Sequence, residues 1–428
     1  MTWLRDRSRK WKNSHGIVAI CIGNTFEWFD FVIFGFFAIP ISNAFFPADS
    51  PAAGLLKTFA IFGVAFVARP IGAIVAGYVA DRRGRRPSLI VTTTIMTTGT
   101  ALIAVVPTHE TIGHLATAIV LLGRILQGFS AGGEFGTATA LLAEYDPARR
   151  GFYSSWQFAG QAATLVLVTA VGSGLSALLT MEQINAWGWR IPFLIGCLLG
   201  PIAIYIRSHV AESHEFRLTD KSRTPVLEAF SRFKINLLIA TGLVVLATVS
   251  IYTLLFIPTF AVRYFHFSLS DALLASFLTG LIQVIVVPLG GVLSDRFGRR
   301  LIAGTAAVLI FVTSIPLLHF LILNQSWPHL LLFQLWLGAL TALYAGGLPA
   351  MMSELFLTRI RTTGLSVSYA VSVALFGGAS PFAIELAVQT WGIELAPAIW
   401  LCIAAGVSSV AVLISGRYRQ SLPKQTQA

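Results

Sequence analysis

Two acidic side chains interrupt an apolar run near the start of the chain. In the stretch GNTFEWFDF, residues 23–31, Glu27 and Asp30 lie three positions apart among Phe and Trp residues. On a helix the two carboxylates share one face, and burial next to a second carboxylate disfavours their ionised forms. A carboxylate in that setting can bind and release a proton. Glu134 lies in another apolar run, so we predict Asp30, Glu27 and Glu134 as candidate proton-coupling groups.

Two arginines are embedded in apolar runs in the same way. Arg69 follows AIFGVAFVA, and Arg124 lies in LLGRILQGF. A guanidinium group stays charged at any relevant pH and holds a carboxylate through two parallel hydrogen bonds. Both arginines are therefore candidate anion receptors. The alternative is a static ion pair between one of them and one of the buried acids.

Neutral polar side chains occur in several apolar runs and are candidates to line a path for a solute. In each case the alternative is a hydrogen bond that joins packed helices. The candidates are Asn24, Gln161, Tyr252, Gln283, Tyr344 and Tyr369.

The elements that position these groups are predicted to be membrane-spanning helices. Of the 428 residues, 55% are hydrophobic and 11% are charged, whereas soluble domains are about a quarter charged. Twelve apolar runs of about 20 residues or more can be placed, at roughly 16–46, 57–80, 88–107, 113–143, 153–179, 189–207, 237–263, 270–293, 301–322, 329–353, 363–390 and 395–415. A charge at membrane depth costs roughly 2.5–3.5 kcal/mol, so the buried acids and arginines must face the protein interior, pair or become neutral.

The positive charges report topology rather than a nucleic-acid partner. The net charge is +11, and 25 of the 30 Lys and Arg residues fall in clusters that alternate with nearly uncharged connectors. This distribution follows the positive-inside rule and predicts that both termini are cytoplasmic. The long basic connector 208–236 then separates an N-terminal bundle, 1–207, from a C-terminal bundle, 237–428.

An internal repeat supports two homologous halves. GYVADRRGRR, residues 77–86, and GVLSDRFGRR, residues 291–300, share the pattern G-x-x-x-D-R-x-G-R-R and follow the second span of each half. Recurrence at matching topological places predicts two pseudo-symmetric bundles of six helices each, an all-α membrane fold.

The paired motif and the six-plus-six topology resemble the major facilitator superfamily over the whole chain. GNTFEWFDF, VARPIGA, GRILQGFSAGGEFG, GFYSSWQ and GWRIPFL are similar to bacterial metabolite–proton symporters, and LLGRILQGFSAG, GFYSSWQ and LGGVLSDRFGRR resemble citrate–proton symporters most. The resemblance implies a proton-coupled symporter in the bacterial inner membrane. It would import an organic tricarboxylate such as citrate or tricarballylate by alternating access.

The repeated motif is predicted to latch the two halves together at the cytoplasmic side. Glycine permits close helix approach and tight turns, a carboxylate is stabilised at a helix N-terminus, and arginine contributes ion pairs and contacts with anionic lipid. In the first half the predicted latch residues are Gly77, Asp81, Arg82, Gly84 and Arg85. In the second half they are Gly291, Asp295, Arg296, Gly298 and Arg299. Plain anchoring by positive charge would explain the arginines but not the aspartates or glycines.

Other classes of function have little support in the sequence. GFSAG at 128–132 matches the G-x-S-x-G pattern of hydrolases, but that motif requires a strand–turn–helix context, so we predict helix packing and no enzyme.

No metal-ligand spacing and no phosphate-binding Gly-Lys-Ser/Thr loop occurs, so neither a cofactor nor a nucleotide is expected. We expect a monomer in the bilayer whose partners are a small organic acid and protons. The alternatives are a dicarboxylate such as 2-oxoglutarate, a zwitterion such as betaine or proline, or a membrane sensor that transports nothing.

Overall fold

The protein is a bundle of long apolar helices. The computed structural model describes residues 20–46, 51–208, 212, 214–220, 222–392 and 394–419, so the basic N-terminal segment and the end of the tail lie outside the described residues. Within the described ranges eleven helices are long and apolar enough to cross a membrane, and Ile20–Phe36 with Ala38–Phe45, bent by 68°, makes a twelfth. We label them α1 to α12 in chain order.

The first six helices are Ile20–Phe36 with Ala38–Phe45 (α1), Pro51–Arg83 (α2), Arg85–Val105 (α3), His114–Tyr145 (α4), Arg150–Leu178 (α5) and Arg190–Ser208 (α6). The second six are Lys234–Phe265 (α7), Leu269–Phe297 (α8), Arg299–Asn324 (α9), Trp327–Ser353 (α10), Thr358–Trp391 (α11) and Ala396–Ser415 (α12). Helix α11 contains a π-helical turn at Val373–Gly377. Between α6 and α7, the connector forms two short helices, His214–Leu218 and Pro225–Arg232.

Single glycines make the turns inside the repeated motif. Gly84 alone separates α2 from α3, and Gly298 alone separates α8 from α9, with φ angles of 119° and 99°. Only glycine reaches these angles without strain. The motif that the sequence predicts as a loop is therefore helical on both sides of one residue.

A stripe of small residues brings the two buried arginines together. A Cβ atom at Gly128 or Gly132 of α4 would collide with the backbone carbonyl oxygen of Ala65 or Arg69 on α2. The backbones of α2 and α4 are consequently in direct contact, as small-residue stripes allow between membrane helices. This contact places Arg69 and Arg124, one on each helix, around the same part of α1.

The first six helices meet the last six mainly along four helix pairs, with a smaller contact between α4 and α10. Helix α11 packs on α2 and α4, while α5 packs on α8 and α10. Three of these pairs, α11 with α2, α11 with α4 and α5 with α8, are in contact at the end of the bundles that carries the repeated motif. We call this end the basic end. It comprises residues 81–86, 144–151, 295–300 and 354–361.

Candidate functional site

Arg69 and Arg124 share an aromatic enclosure in the first half. Their guanidinium carbons lie 4.3 Å and 4.5 Å from the centre of the Phe31 ring. Further rings within 5.4 Å of one or the other are Trp28, Phe34, Phe62 and Phe66. Aromatic faces attract cations, so these rings hold two positive charges close together within a buried space.

Neither guanidinium has its hydrogen-bonding capacity filled. Arg124 is 0% exposed and Arg69 is 2% exposed. Nε and Nη2 of Arg124 and Nε of Arg69 have no hydrogen-bond partner among the residues that the structure describes. A buried charge without a partner is costly, so the pair favours an anionic ligand that brings its own acceptors.

Asp30 lies inside the first bundle and is connected to Arg124 by neutral groups. The Thr100 hydroxyl donates to Asp30 Oδ2 at 2.8 Å. On the other side, Asp30 Oδ1 faces Gly196 of α6 and has no hydrogen-bond partner in the described part of the chain. A single hydroxyl donor leaves an ionised carboxylate poorly compensated. The surroundings of Asp30 are therefore suited to a carboxyl group that takes up a proton.

Glu134 forms an ion pair with Arg207, a residue that the sequence pattern groups with the connector. Arg207 Nη1 donates to Glu134 Oε2 at 2.9 Å, and Nη2 donates to the other carboxylate oxygen. Both side chains are about 1% exposed. Arg207 ends an apolar run and so groups with the basic connector in the sequence, but it points back into the bundle. The predicted alternative of a static ion pair is thus present for Glu134, although its partner is neither Arg69 nor Arg124.

Glu27 lies beside this pair rather than beside Asp30. Its carboxyl group is close to that of Glu134 and within electrostatic range of Arg207 and Arg69. One oxygen, Oε2, has no hydrogen-bond partner within the described ranges. Two acids that share one arginine leave one of them without its own counter-charge, so a shared proton would relieve the repulsion.

A narrow cavity lies between the two halves. Its polar lining includes Gln161 and Thr164 of α5, Gln283 of α8 and Thr341 of α10, and its volume is ≈ 50 Å³. Ligand sites usually measure roughly 300–1,000 Å³. In this conformation the halves are closed on each other, and Trp28, 5.4 Å from the Arg69 guanidinium, separates that arginine from the cavity.

The other predicted path residues divide into two groups. Gln161 lies 3.5 Å from the Tyr369 hydroxyl, and Tyr252 packs on Phe66 at 5.7 Å next to the arginines. By contrast, Asn24 exchanges two hydrogen bonds with Gln157 inside the first bundle. The Tyr344 hydroxyl donates to the Leu243 carbonyl at 2.6 Å inside the second bundle. The hydrogen-bonding groups of Asn24 and Tyr344 are therefore occupied by contacts between helices.

At the basic end, each repeated aspartate reaches across to the other half. Asp81 accepts hydrogen bonds from the backbone N–H groups of Thr362 and Thr363 at 3.2 and 2.8 Å. Asp295 accepts from those of Gly151 and Phe152 at 2.8 and 2.9 Å. In both cases the acceptor is at the N-terminus of a helix, where the helix dipole stabilises negative charge. The two contacts are related by the pseudo-symmetry of the fold.

The first glycine of each motif allows this approach. A Cβ at Gly77 would lie 2.8 Å from Thr363 Cα, and one at Gly291 would lie 2.6 Å from the Gly151 carbonyl oxygen.

The arginines of the motif behave differently from one another. Arg82 and Arg296 are exposed and contact Tyr78 and Phe297 of their own helices.

Arg85 and Arg299 instead join ion-pair networks. Arg85 contacts Asp81 at 3.6 Å and Glu144 at 3.1 Å, and Arg361 of the second half contacts Glu144 at 2.7 Å. In the second half, Arg299 contacts Asp295 at 3.2 Å and Glu354 at 3.0 Å.

The connector takes part in the same network. Glu215 contacts Arg361 at 2.8 Å and also pairs with Arg150, so one carboxylate touches an arginine from each half. Glu228 of the connector pairs with Arg359 of the second half at 2.6 Å and accepts from the Ser222 hydroxyl of the connector itself at 2.8 Å. Neither role is visible in the sequence, because nothing in the connector's composition distinguishes these acids from solvated ones.

No group of three or more His, Cys, Asp or Glu side chains is placed to hold a metal ion within the described residues.

Comparison with known proteins identifies the family. The sequence profile of the Major Facilitator Superfamily matches residues 20–381 of this chain. The chain is 39% identical over 404 residues to a citrate-proton symporter of Salmonella typhi, covering 93% of each sequence. It is 33% identical over 414 residues to a proline/betaine transporter of Escherichia coli (strain K12), covering 92% of this chain and 81% of that one.

Among solved structures, the fold matches a proton:xylose symporter bound to 6-bromo-6-deoxy-D-glucose. The TM-score is 0.78 at 18% identity, with 96% of each chain covered. The chain therefore belongs to the Major Facilitator Superfamily, a family of multi-span membrane transporters, and the predicted all-α fold is confirmed.

Proposed function

We propose that this member of the Major Facilitator Superfamily is a proton-coupled symporter that imports an organic tricarboxylate such as citrate. The observation that carries the proposal is the pair of buried guanidinium groups around Phe31, which have unfilled donors and lie near a carboxylate that can be protonated. The similarity to a citrate-proton symporter at 39% identity supports the same substrate class.

Transport by alternating access fits the arrangement of the two halves. The narrow cavity, ≈ 50 Å³, requires the halves to separate before a tricarboxylate can reach Arg69 or Arg124. Rocking of one bundle against the other about a central site is the common mode of secondary transporters. We infer that the basic end faces the cytoplasm of a bacterial inner membrane, and that Asp81 and Asp295 latch it while the site is open to the other side.

Charge balance limits the coupling. Moving one elementary charge against the membrane potential costs about 2.3 kcal/mol per 100 mV. A trianion imported with one proton carries two net negative charges and therefore costs about 4.6 kcal/mol at that potential. Import requires about three protons or a partly protonated acid. Asp30 and Glu27 have unfilled oxygens, whereas both oxygens of Glu134 accept from Arg207, so we assign proton uptake to Asp30 and Glu27 first.

Purified protein in liposomes tests the proposal. Labelled citrate is expected to accumulate above its outside concentration when the outside is made acidic, and to reach no more than the outside concentration when no gradient is imposed. Competition by unlabelled tricarballylate, 2-oxoglutarate, betaine and proline then ranks the substrate classes. Accumulation of betaine or proline but not citrate would replace the tricarboxylate with a zwitterion. Accumulation of 2-oxoglutarate alone would replace it with a dicarboxylate, and no uptake of any compound would favour a sensor.

A further inference from the structure

A continuous line of hydrogen bonds through two neutral side chains joins the buried acid Asp30 to the candidate anion receptor Arg124. Arg124 Nη1 donates to Gln127 Oε1 at 2.7 Å, and Gln127 Nε2 donates to the Thr100 hydroxyl at 3.0 Å. The Thr100 hydroxyl in turn donates to Asp30 Oδ2 at 2.8 Å. All four side chains are buried, with exposed fractions of 4% for Asp30 and 0% for the other three.

Every bond in this line points from the cation to the carboxylate. The guanidinium group donates to the amide oxygen, the amide nitrogen donates to the hydroxyl, and the hydroxyl donates to the ionised acid. Hydrogen bonds aligned in one direction polarise one another in a low-dielectric interior. While Asp30 is ionised, all three hydrogen bonds keep this direction. One N–H group of Arg124 then stays bound to Gln127.

The other charged and titratable groups near Asp30 are few in the described part of the chain. They are Cys197 on α6, Glu27 one turn earlier on α1, and the neighbours of Glu27, which are Glu134, Arg207 and Arg69. None of these groups forms a bond in the line itself. The line is therefore a separate route between the acid and the receptor.

We propose that Thr100 and Gln127 are positioning residues that transmit the protonation state of Asp30 to the anion-binding capacity of Arg124. This inference rests on the proposed function. Asp30 Oδ1 has no hydrogen-bond partner within the described residues, so we place the proton taken up from solution on Oδ2, where the new O–H group donates to the Thr100 hydroxyl. The hydroxyl proton then requires an acceptor, which Gln127 provides if its amide group turns over.

Turning the Gln127 amide presents its NH2 group to Arg124 and ends the bond between them. Since both groups are then donors, Arg124 Nη1 is released toward the substrate. Protonation of Asp30 therefore raises the affinity for an anion, and binding of the anion favours uptake of the proton by the same factor. No covalent bond other than that to the transferred proton changes.

The experiment measures citrate binding to the purified full-length protein between pH 5.5 and 8.5. Citrate itself titrates, so the compared quantity is the ratio of variant to wild-type dissociation constants at each pH. In the wild type the affinity is expected to increase toward low pH by about 5–150-fold, the usual range of coupling between two sites. Thr100→Val and Gln127→Leu are expected to remove most of this increase.

Matched variants separate transmission from simple structural damage. Thr100→Ser keeps the hydroxyl and is expected to restore the wild-type pH dependence. Thr98→Val, on the same helix, removes a hydroxyl that donates only to the Thr94 carbonyl of its own helix at 2.9 Å, and it is expected to leave the pH dependence unchanged. A folding defect would lower the fraction of protein that binds without changing how affinity depends on pH.

Two other results have different meanings. If Thr100→Val and Gln127→Leu bind citrate with the wild-type pH dependence, the transmission role is wrong while the symporter proposal stands. If the wild type binds neither citrate nor any competitor in a pH-dependent way, the proposed function and this inference are both wrong.

Discussion

The two halves of the protein are alike at the basic end and unlike in the membrane interior. At the basic end, Asp81 and Asp295 make equivalent contacts with helix N-termini of the opposite half. In the interior, six charged side chains are buried in the first half: Glu27, Asp30, Arg69, Arg124, Glu134 and Arg207. Among the charged side chains of residues 234–392 and 394–419, the buried one is Arg361, which lies at the basic end.

Under the proposed function, this difference separates the residues that hold the two halves together from the residues that bind the proton and the anion. A contact that must form and break between two rocking bodies works best when both bodies carry it, and the repeat supplies it twice. Proton binding and anion binding require only one site, and the first half alone supplies charged groups for both. The second half offers neutral polar groups, Gln283 and Thr341, at the central cavity.

The largest effect is expected from breaking the buried ion pair of the first half. Arg207→Met leaves Glu134 as an uncompensated buried charge, and loss of one partner in such a pair costs about 3–5 kcal/mol. We expect a strongly lowered melting temperature in detergent. The double variant Arg207→Met with Glu134→Gln should recover most of the stability, because it leaves no charge behind. If the double variant recovers stability and also retains pH-driven uptake, Glu134 has only a structural role.

The next largest effect is expected from the anion receptor. Arg124→Gln removes the guanidinium group and should weaken citrate binding by about 30-fold or more, since loss of one partner of a buried, hydrogen-bonded charge pair costs 2 kcal/mol or more. Arg124→Lys keeps the charge without the two-pronged geometry and should fall in between. The control is Arg263→Gln in the second half, where the side chain is 57% exposed and paired with Glu385. Equal binding by Arg124→Gln and the wild type would remove Arg124 from the site.

A smaller effect is expected from the latch, and it should differ between the halves. Asp81 is 0% exposed, whereas the Asp295 side chain is 13% exposed, and a hydrogen bond to a charged group is worth about 1.5–3 kcal/mol, more when buried. Asp81→Asn should therefore open the basic end more than Asp295→Asn. Opening is measured as labelling of Ser366→Cys by a membrane-impermeant thiol reagent, in protein that lacks Cys21, Cys197 and Cys402.

The control for the latch is an aspartate at the same end that stays within its own half. Asp146 accepts from the Ala148 backbone N–H at 2.9 Å, so Asp146→Asn should not change labelling of the reporter cysteine. Unchanged labelling in Asp81→Asn and Asp295→Asn, together with unchanged transport rates, would show that the aspartates do not latch the halves.

The smallest effect is expected from the connector. Glu215 contacts an arginine of each half, whereas Glu228 pairs with an arginine of the second half, and both side chains are 12% exposed. Arg361 keeps a second carboxylate partner, Glu144 at 2.7 Å, when Glu215 is neutralised, so the effect should be smaller than that of the latch aspartates. Glu215→Gln should raise labelling of the same reporter modestly, and Glu228→Gln should not. An equal response of the two variants would mean that the connector does not bridge the halves.

Much of the fold was predictable from the sequence because it follows from hydropathy and from the repeat. Apolar runs must form helices in a membrane, since each backbone polar group needs an internal partner. The positions of the twelve helices agree with the predicted runs to within a few residues at most ends. The largest departures are the early start of α2 at Pro51 and the bend of 68° in α1. The tight turns predicted at Gly84 and Gly298 are present, and each is made by one glycine with positive φ.

The candidate site was predictable in its charged members and not in their partners. A charge in an apolar run is conspicuous, so Glu27, Asp30, Arg69, Arg124 and Glu134 stand out. Arg207 does not, because a charge at the end of a run is read as part of the next connector. Thr100 and Gln127 are ordinary polar residues of membrane helices. Only the three-residue spacing of Gln127 from Arg124, which places both on one face of α4, could have drawn attention to it.

The most direct test of the account compares pH-driven accumulation with exchange in Asp30→Asn. Because the proton is proposed to bind in the first half, this variant in liposomes should fail to accumulate labelled citrate under an inward proton gradient. It should still exchange labelled for unlabelled citrate, because the anion receptor is intact. Glu385→Gln, which neutralises an acid of the second half, should accumulate citrate like the wild type. Wild-type accumulation by Asp30→Asn, or its loss in Glu385→Gln alone, would contradict the assignment.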